Sequence, residues 1–323
     1  MTLENAVAIY LEELRSFDPK TFTEATFLTQ LENLFQDICG QFNSQIEPLQ
    51  EVTDDHQDLG VPDFTFIHTV HLGTVGLVEV KKIGADLDVV AKSPQVRKYR
   101  KRCENIILTN YLDFLILRDG SIIQRTRLRS IGDIASEFDI SEIPVQDLHS
   151  LFQIFLSEEP RGIATTKELA EHLAFRCHAT RDFLTIRLKR YKKNQPKTYL
   201  VNLYEAFQQF VDSELSPEDF ADAFAQTLGY SLFIAKLNNQ NATPITLYNL
   251  QQYIPDNFAL IRHLADFLNE LEGSEYTKIR HRIEEIIGMM NHLDLHSISN
   301  ELAGKVELNL GDRDPSIARD PFI

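Results

Sequence analysis

The stretch GVPDFTFIHTVHLGTVGLVEVKK, residues 60–82, predicts two β-strands joined by a short turn. Asp63 stands at the start of the first strand, and Glu79 and Lys81 stand near the end of the second. Because side chains on a strand alternate between its two faces, Glu79 and Lys81 share one face and Val80 lies on the other. If the two strands pair antiparallel, Asp63 reaches the same end of the hairpin as Glu79. Two carboxylates and an ammonium group would then converge on one spot.

This trio of charged groups suits the metal-assisted hydrolysis of a phosphodiester. Carboxylate oxygens are the ligands that hard cations such as Mg²⁺ prefer. A bound cation polarises the phosphate and lowers the pKa of a bound water. An ammonium group can orient or deprotonate that water and balance the charge that develops. The short motif leaves one alternative open, which is a surface hairpin with an exposed ion pair.

The composition is that of a globular chain. Its 323 residues predict about two domains at roughly 150 residues each. The hydrophobic fraction of 43% and the charged fraction of 25% are ordinary for such a chain. No window approaches the roughly 18 apolar residues of a membrane helix, and the acidic N-terminal stretch differs from a secretory signal. The three widely spaced cysteines fit reduced thiols. We therefore predict a cytoplasmic protein with no membrane partner.

Charge is distributed unevenly along the chain. The formal net charge is −16, which argues against a generic nucleic-acid coat protein. Between residues 91 and 130, however, ten basic side chains stand against three acidic ones, an excess of seven. A second basic run lies between residues 181 and 197. Basic stretches within an acidic chain indicate contacts with phosphate groups, and a solvated helix face is the alternative.

The order of predicted elements over the first 135 residues is typical of an α/β domain with a mixed sheet. Gln95 and Tyr99 are one turn apart on a predicted basic helix, so they share a face. Asp119-Gly120 is a strong hairpin turn between the last two strands. Besides the hairpin, the predicted elements are helices over 5–14, 23–42 and 93–103, and strands over 46–52, 105–109, 113–118 and 121–127.

Beyond about residue 133, strand signals stop and amphipathic helices take over. The predicted helices span residues 144–156, 165–191, 198–213, 217–237, 257–271, 276–291 and 295–302. We therefore predict an α/β domain over residues 1–135, an all-α helical bundle over 136–303 and a linker over 304–323.

Taken together, these features resemble the N-terminal part of type IIG and type ISP restriction-modification enzymes. Such enzymes fuse a PD-(D/E)xK nuclease to a helical connector and an adenine-specific DNA methyltransferase. The resemblance implies a restriction-endonuclease-like α/β domain, with a mixed central sheet flanked by helices, followed by a helical bundle. It is carried by Thr23-Glu24 with the following helix, GVPDF to EVKKIGADL, Gln95 to Tyr99 leading into NIILTNYLDFLILRDG, and FADAFAQTLGYSLFIAKL.

The resemblance also implies roles for individual residues. Glu24, Asp63 and Glu79 are expected to bind Mg²⁺, with Mn²⁺ as a substitute. Lys81 is expected to be the catalytic lysine, acting with Asp63 and Glu79, and Gln95 an auxiliary catalytic residue. For Glu24, a surface acid in the first turn of a helix is the alternative. The basic helix is expected to contact double-stranded DNA through Arg97, Lys98, Tyr99, Arg100 and Lys101.

Two histidine pairs have spacings that metal sites also use. They are His68 with His71 and His292 with His296. No cysteine or carboxylate completes a tetrahedral set around either pair. We therefore favour capping or polar surface roles over zinc.

The expected function is that of a Mg²⁺-dependent DNA endonuclease module. Its helical half would couple it to methyltransferase and target-recognition domains missing from this chain. The chain has no N-P-P-Y or F-x-G-x-G element, so no S-adenosylmethionine site is expected, and it has no phosphate-binding loop. Related nuclease domains often need a second copy to cut both strands, which makes a transient dimer a further expectation. The alternative is a non-catalytic connector that carries a degenerate nuclease fold.

Overall fold

The structure is a computed structural model. It describes residues 1–16, 23, 26–42, 45–50, 62–160, 162–191, 198–239, 243–256 and 277–311. The chain divides into two compact units, Met1–Pro160 and Arg161–Ile323. Among the described helices, none combines the length and the apolar character needed to cross a membrane.

The first unit contains the predicted helices and strands in the predicted order, with one short helix, α3, between the hairpin and the basic helix where the sequence predicted none. Its helices are α1 (Leu3–Arg15), α2 (Leu28–Phe42), α3 (Leu87–Ala91), α4 (Pro94–Arg100) and α5 (Val145–Leu156). Its strands are β1 (Ile46–Gln50), β2 (Phe64–His68), β3 (Thr74–Val80), β4 (Ile106–Thr109), β5 (Asp113–Arg118) and β6 (Ser121–Arg127). Short 3₁₀ turns follow β6 at Ile131–Asp133 and Ile140–Glu142.

The strands of this unit form one mixed sheet. Within the described residues it has six strands in the order β1-β2-β3-β4-β5-β6. Strands β3 and β4 pair parallel, and every other neighbouring pair is antiparallel. A parallel pair needs a crossover connection, which α3 and α4 supply. The predicted fold class, a mixed sheet flanked by helices and followed by a helical region, is confirmed.

Each face of the sheet packs against its own set of helices. Val78 and Val80 of β3 belong to a core formed with α1, α2 and α5. Leu77 faces the opposite side and packs with Val96 and Tyr99 of α4 and Leu87 of α3. Strand alternation thus places the odd-numbered residues at the end of β3 on the side of α3 and α4.

Helix α5 belongs to the first unit. Its side chains Leu148, Phe152 and Phe155 are fully buried in the core shared with α1 and α2. The Phe155 ring lies so close to Gly76 of β3 that a Cβ atom there would overlap it. The predicted domain boundary at residue 135 therefore falls too early, because the helix after it completes the core of the first unit.

The start of α2 also differs from the prediction. The helix begins at Leu28, whereas the sequence pattern predicted a start at Thr23. The Thr23 hydroxyl lies 2.8 Å from the Thr26 hydroxyl, and Thr26 N donates to Thr23 O in a turn that precedes the helix. Glu24 lies outside the described residues.

The second unit is helical in its described part. Thr165 and Glu168 form a capping box at the start of α6, and Ser216 followed by Pro217 caps α8. The apolar side chains of α8 that recur every four residues, which include Phe220 and Leu228, are buried. The helices are α6 (Thr166–Arg190), α7 (Tyr199–Phe210), α8 (Pro217–Asn238), α9 (Thr277–Asn291) and α10 (Leu295–Gly311), with a 3₁₀ turn at Leu250–Tyr253. The predicted helix over 257–271 and the chain after 311 lie outside the described residues.

Candidate active site

The β2–β3 pairing brings Asp63 and Glu79 together. Phe64 pairs with Val78 in the antiparallel register, so Asp63, which immediately precedes β2, lies across from Glu79. The Asp63 side chain is held in place because its Oδ2 accepts a hydrogen bond of 2.7 Å from Val80 N. The sequence prediction that these residues meet at one end of the hairpin agrees with this geometry.

Glu79 and Lys81 form an ion pair on the face of the sheet that packs against α3 and α4. Lys81 Nζ lies 2.5 Å from Glu79 Oε1. The Glu79 side chain is only 2% exposed, whereas that of Lys81 is 22% exposed. A carboxylate at this depth requires compensating charge or hydrogen bonds. The lysine supplies the charge from the side of the solvent.

Helix α4 packs on the face of the sheet that carries Glu79 and contributes Gln95 and Tyr99 to the site. Gln95 Nε2 donates a hydrogen bond of 2.8 Å to the Tyr99 hydroxyl. Burial raises the pKa of Tyr99, and the charge of Glu79 and a hydrogen bond to it raise that pKa further. Since a neutral phenol can donate to a carboxylate and a phenolate cannot, Tyr99 remains protonated and links Gln95 to Glu79.

The donor set suits a hard divalent cation. Asp63 and Glu79 offer carboxylate oxygens, which is the ligand chemistry that Mg²⁺ and Mn²⁺ favour. In the part of the chain that the structure describes, no group of three or more His, Cys, Asp or Glu side chains is arranged to hold a metal ion. Glu24, the third predicted ligand, lies outside that part.

The residues predicted to contact DNA, which lie in α4 and at the position after it, divide into three groups. Arg97, Lys98 and Lys101 are exposed. Arg100 is half-buried, and its Nε lies 2.8 Å from Glu104 Oε2. Tyr99 is fully buried, so the predicted DNA contact of Tyr99 is wrong. The i, i+4 spacing predicted only that Tyr99 shares a face with Gln95, and the structure shows that this face is the inner one.

One buried cation beside the site escaped the sequence analysis. Arg102 is 6% exposed, and its Nη2 lies 3.4 Å from the hydroxyl of Thr65, which is also buried. Thr65 stands two residues after Asp63 on β2, so both share a face of that strand. In the sequence Arg102 was one of several basic residues, and no local signal separated it from its exposed neighbours.

The second basic run is partly neutralised within its own unit. Arg181 Nη2 lies 2.7 Å from Asp182 Oδ1, and Lys189 contacts Glu218 of α8. The lysines at 192, 193 and 197 lie outside the described residues. The described part of this run is therefore a helix face with intramolecular ion pairs.

The His68–His71 pair has a hydrogen-bond pattern that opposes metal binding. The rings of His68, the last residue of β2, and His71, in the turn before β3, stack with centroids 3.7 Å apart. His68 Nδ1 accepts from Val70 N, and His71 Nδ1 accepts from Gly73 N. A neutral imidazole that accepts at Nδ1 carries its proton on Nε2, so Nε2 has no lone pair for a cation. This pattern agrees with the polar surface role that we favour for the pair.

Comparisons with known proteins give a match among solved structures and none among protein families or curated proteins. Neither a scan against protein-family models nor a search of curated proteins finds a match for this chain. Among solved structures, the chain is similar to one in the cryoEM structure of a DrdV–DNA complex, at 17% sequence identity and a TM-score of 0.37. The similarity covers 98% of this chain and 29% of the other, so this chain spans less than a third of the length of that protein.

Proposed function

We propose that this chain is the nuclease module of a restriction-modification enzyme and hydrolyses phosphodiester bonds of double-stranded DNA with the aid of Mg²⁺. The observation that carries the proposal is the meeting of Asp63, Glu79 and Lys81 at one end of a hairpin in a mixed α/β sheet. The helical second unit would then connect the nuclease to methyltransferase and target-recognition domains outside this chain.

The proposed roles follow from charge and burial. Asp63 and Glu79, with Glu24, would hold the ion. When bound, that ion supplies Lewis-acid activation of the phosphate and of a water molecule. Lys81, which is partly exposed and contacts Glu79, would balance negative charge that develops on the phosphate. Tyr99 and Gln95 would fix the orientation of the Glu79 carboxylate through the hydrogen bonds described above.

The first test is metal binding by calorimetry. Mg²⁺ or Mn²⁺ is titrated into the whole chain, and the titration is repeated with Asp63→Ala and Glu79→Gln. We expect binding that both substitutions abolish. The control is Glu4→Gln, which removes one exposed carboxylate from α1 and should leave the binding unchanged. The titration is also carried out with a short DNA duplex present, since DNA completes the coordination of Mg²⁺ in many phosphoryl-transfer sites.

The second test is nicking of supercoiled plasmid DNA. We expect nicking that depends on Mg²⁺ and disappears in Asp63→Ala. If a full-length enzyme that carries Glu79→Ala still cleaves DNA normally, the endonuclease proposal fails. The chain would then be a connector with a degenerate nuclease fold.

A further inference from the structure

A charged cleft opens at the same end of the sheet as Glu79. It has a volume of about 400 Å³ and is lined by Arg125, Arg127 and Arg129 on one side and by residues 84–88 on the other. Asn110, which follows β4, and Asp113, the first residue of β5, also line it. We call it the arginine cleft. It lies wholly within the first unit.

The strand register fixes the distance between the arginine cleft and Glu79. Glu79 pairs with Leu108, Leu108 pairs with Leu115, and Leu115 pairs with Arg125. Residues that face one another across neighbouring strands lie on the same face of a sheet, so Arg125 is on the face of Glu79. Three strand spacings separate them by about 14 Å. Arg127, two residues further along β6, shares that face.

The guanidinium groups of the cleft are held in fixed orientations. Arg125 Nη2 lies 2.7 Å from Asp88 Oδ1, and Arg127 Nε lies 2.6 Å from Asp113 Oδ1. Arg129 donates to the backbone oxygens of Ser136 and Glu137. A guanidinium has five N–H donors in a planar fork, and a single contact engages only part of it. The Arg127 side chain is 61% exposed, so its terminal nitrogens are accessible to a ligand.

We propose that the arginine cleft binds a backbone phosphate of the DNA whose cleavage is assigned above to Asp63, Glu79 and Lys81, and this inference rests on that proposed function. Oriented guanidinium forks match the oxygens of a phosphate. A separation of about 14 Å corresponds to roughly four base-pair steps along the duplex. The cleft would therefore fix the register of the DNA on the sheet, because phosphate contacts position a duplex without reading its sequence.

The aspartates of the cleft lead to opposite expected effects on DNA binding for arginine and aspartate substitutions. Asp86, Asp88 and Asp113 line the cleft together with the three arginines, and two of these aspartates form ion pairs with Arg125 and Arg127. A phosphate must therefore compete with Asp88 for Arg125. Removing Arg125 or Arg127 should weaken DNA binding, whereas removing the Asp88 carboxylate should strengthen it.

The test measures binding of a fluorescein-labelled duplex to the whole chain by anisotropy, with EDTA present so that no cleavage occurs. For Arg125→Ala and Arg127→Ala, we expect the slope of log K against log salt concentration to fall by about one unit each. Arg127→Lys should keep part of the affinity, since it retains the charge and loses the fork.

The matched controls come from an ion pair on the opposite face of the sheet. Arg15 and Glu12 on α1 are 3.3 Å apart, and their side chains are 32% and 52% exposed. These values resemble the 40% and 48% of Arg125 and Asp88. Arg15→Ala and Glu12→Gln therefore reproduce the change in net charge without touching the cleft. Asp88→Asn should tighten binding several-fold relative to Glu12→Gln.

Two results would overturn the proposal. One is equal binding by the Arg125→Ala, Arg127→Ala and Arg15→Ala variants, and the other is no binding by the unmodified chain at low salt. The binding measurement is independent of catalysis, because EDTA is present. If the plasmid is never nicked but the arginine variants lose binding, the endonuclease proposal fails, whereas DNA binding by the arginine cleft is supported. If nicking depends on Asp63 but the arginine variants bind normally, the cleft fails alone.

Discussion

Two ion pairs on one face of the sheet have similar N–O distances but differ greatly in burial. Glu79 and Lys81 are 2.5 Å apart, and Arg125 and Asp88 are 2.7 Å apart. The Glu79 side chain is 2% exposed, whereas Asp88 is 48% exposed. A buried pair must offset the desolvation of its charges, while an exposed pair contributes little to stability. Burying the Glu79 carboxylate costs free energy that an apolar residue would not cost. A buried charge of this kind is typical of a functional site.

The largest expected difference between the two pairs is in catalysis. Lys81→Met should lower the rate of Mg²⁺-dependent nicking by about 100-fold or more, because the substitution removes a charge that stabilises the transition state. The adjacent Lys82 is exposed, so Lys82→Met is the matched control and should keep the full rate. The rates come from single-turnover plasmid nicking. Equal loss in both variants would mean that general positive charge, and not the contact with Glu79, supports the reaction.

The second expected difference is in the free energy of unfolding. Lys81→Met leaves the Glu79 carboxylate buried without its ammonium partner. Because Lys81 remains partly in contact with solvent, we expect a loss of about 1–3 kcal/mol, below the values for fully buried pairs. The double variant Glu79→Gln/Lys81→Met should recover most of the loss, since no charge remains to be compensated. Urea denaturation of the single and double variants measures this coupling, and simple additivity of the two changes would contradict it.

The third expected difference is in how the free energy of unfolding depends on pH in the alkaline range. The pKa of Tyr99 is raised above its ordinary value of 10.0, so its contribution to stability is complete below that pH. As the pH rises above about 10, the unfolded chain releases this proton while the folded chain keeps it, and stability falls by up to about 1.4 kcal/mol per pH unit.

Tyr99→Phe should remove this part of the pH dependence. Tyr10, whose pKa is also raised by burial, provides a matched comparison, and Tyr10→Phe should flatten the same slope without affecting nicking. Urea denaturation at several pH values between neutral and alkaline measures the slopes. A slope that Tyr99→Phe leaves unchanged would show that the phenol ionises in the folded chain.

The smallest expected effect concerns the exposed pair. Arg125→Ala and Asp88→Asn should each change the free energy of unfolding by less than about 1 kcal/mol, because solvent screens both charges. High salt should make the changes smaller still. Chemical denaturation at low and high salt provides the measurement. A loss comparable to that of Lys81→Met would remove the energetic contrast between the two pairs.

Much of the first unit could be predicted because its signals are local. The turn at Asp119-Gly120 is an example, since both residues have positive φ, 50° and 78°, as the favoured two-residue hairpin turn requires. Alternation along β3 likewise placed Glu79 and Lys81 on one face. The boundary at residue 135 was wrong, because it depends on the packing of α5 against segments distant in the chain. The start of α2 was also wrong, since a turn stabilised by contacts between Thr23 and Thr26 precedes the helix.

The sequence by itself determined which side chains share a face, because the periods of a strand and a helix depend only on neighbouring residues. That sufficed to bring together Glu79 and Lys81, and Gln95 and Tyr99. Only the tertiary structure decided that Tyr99 is buried against Glu79 and that α5 joins the first core. It also decided that Arg125 lies three strands from Glu79. These features follow from strand register and from apolar contacts between distant segments, which the local pattern of residues does not encode.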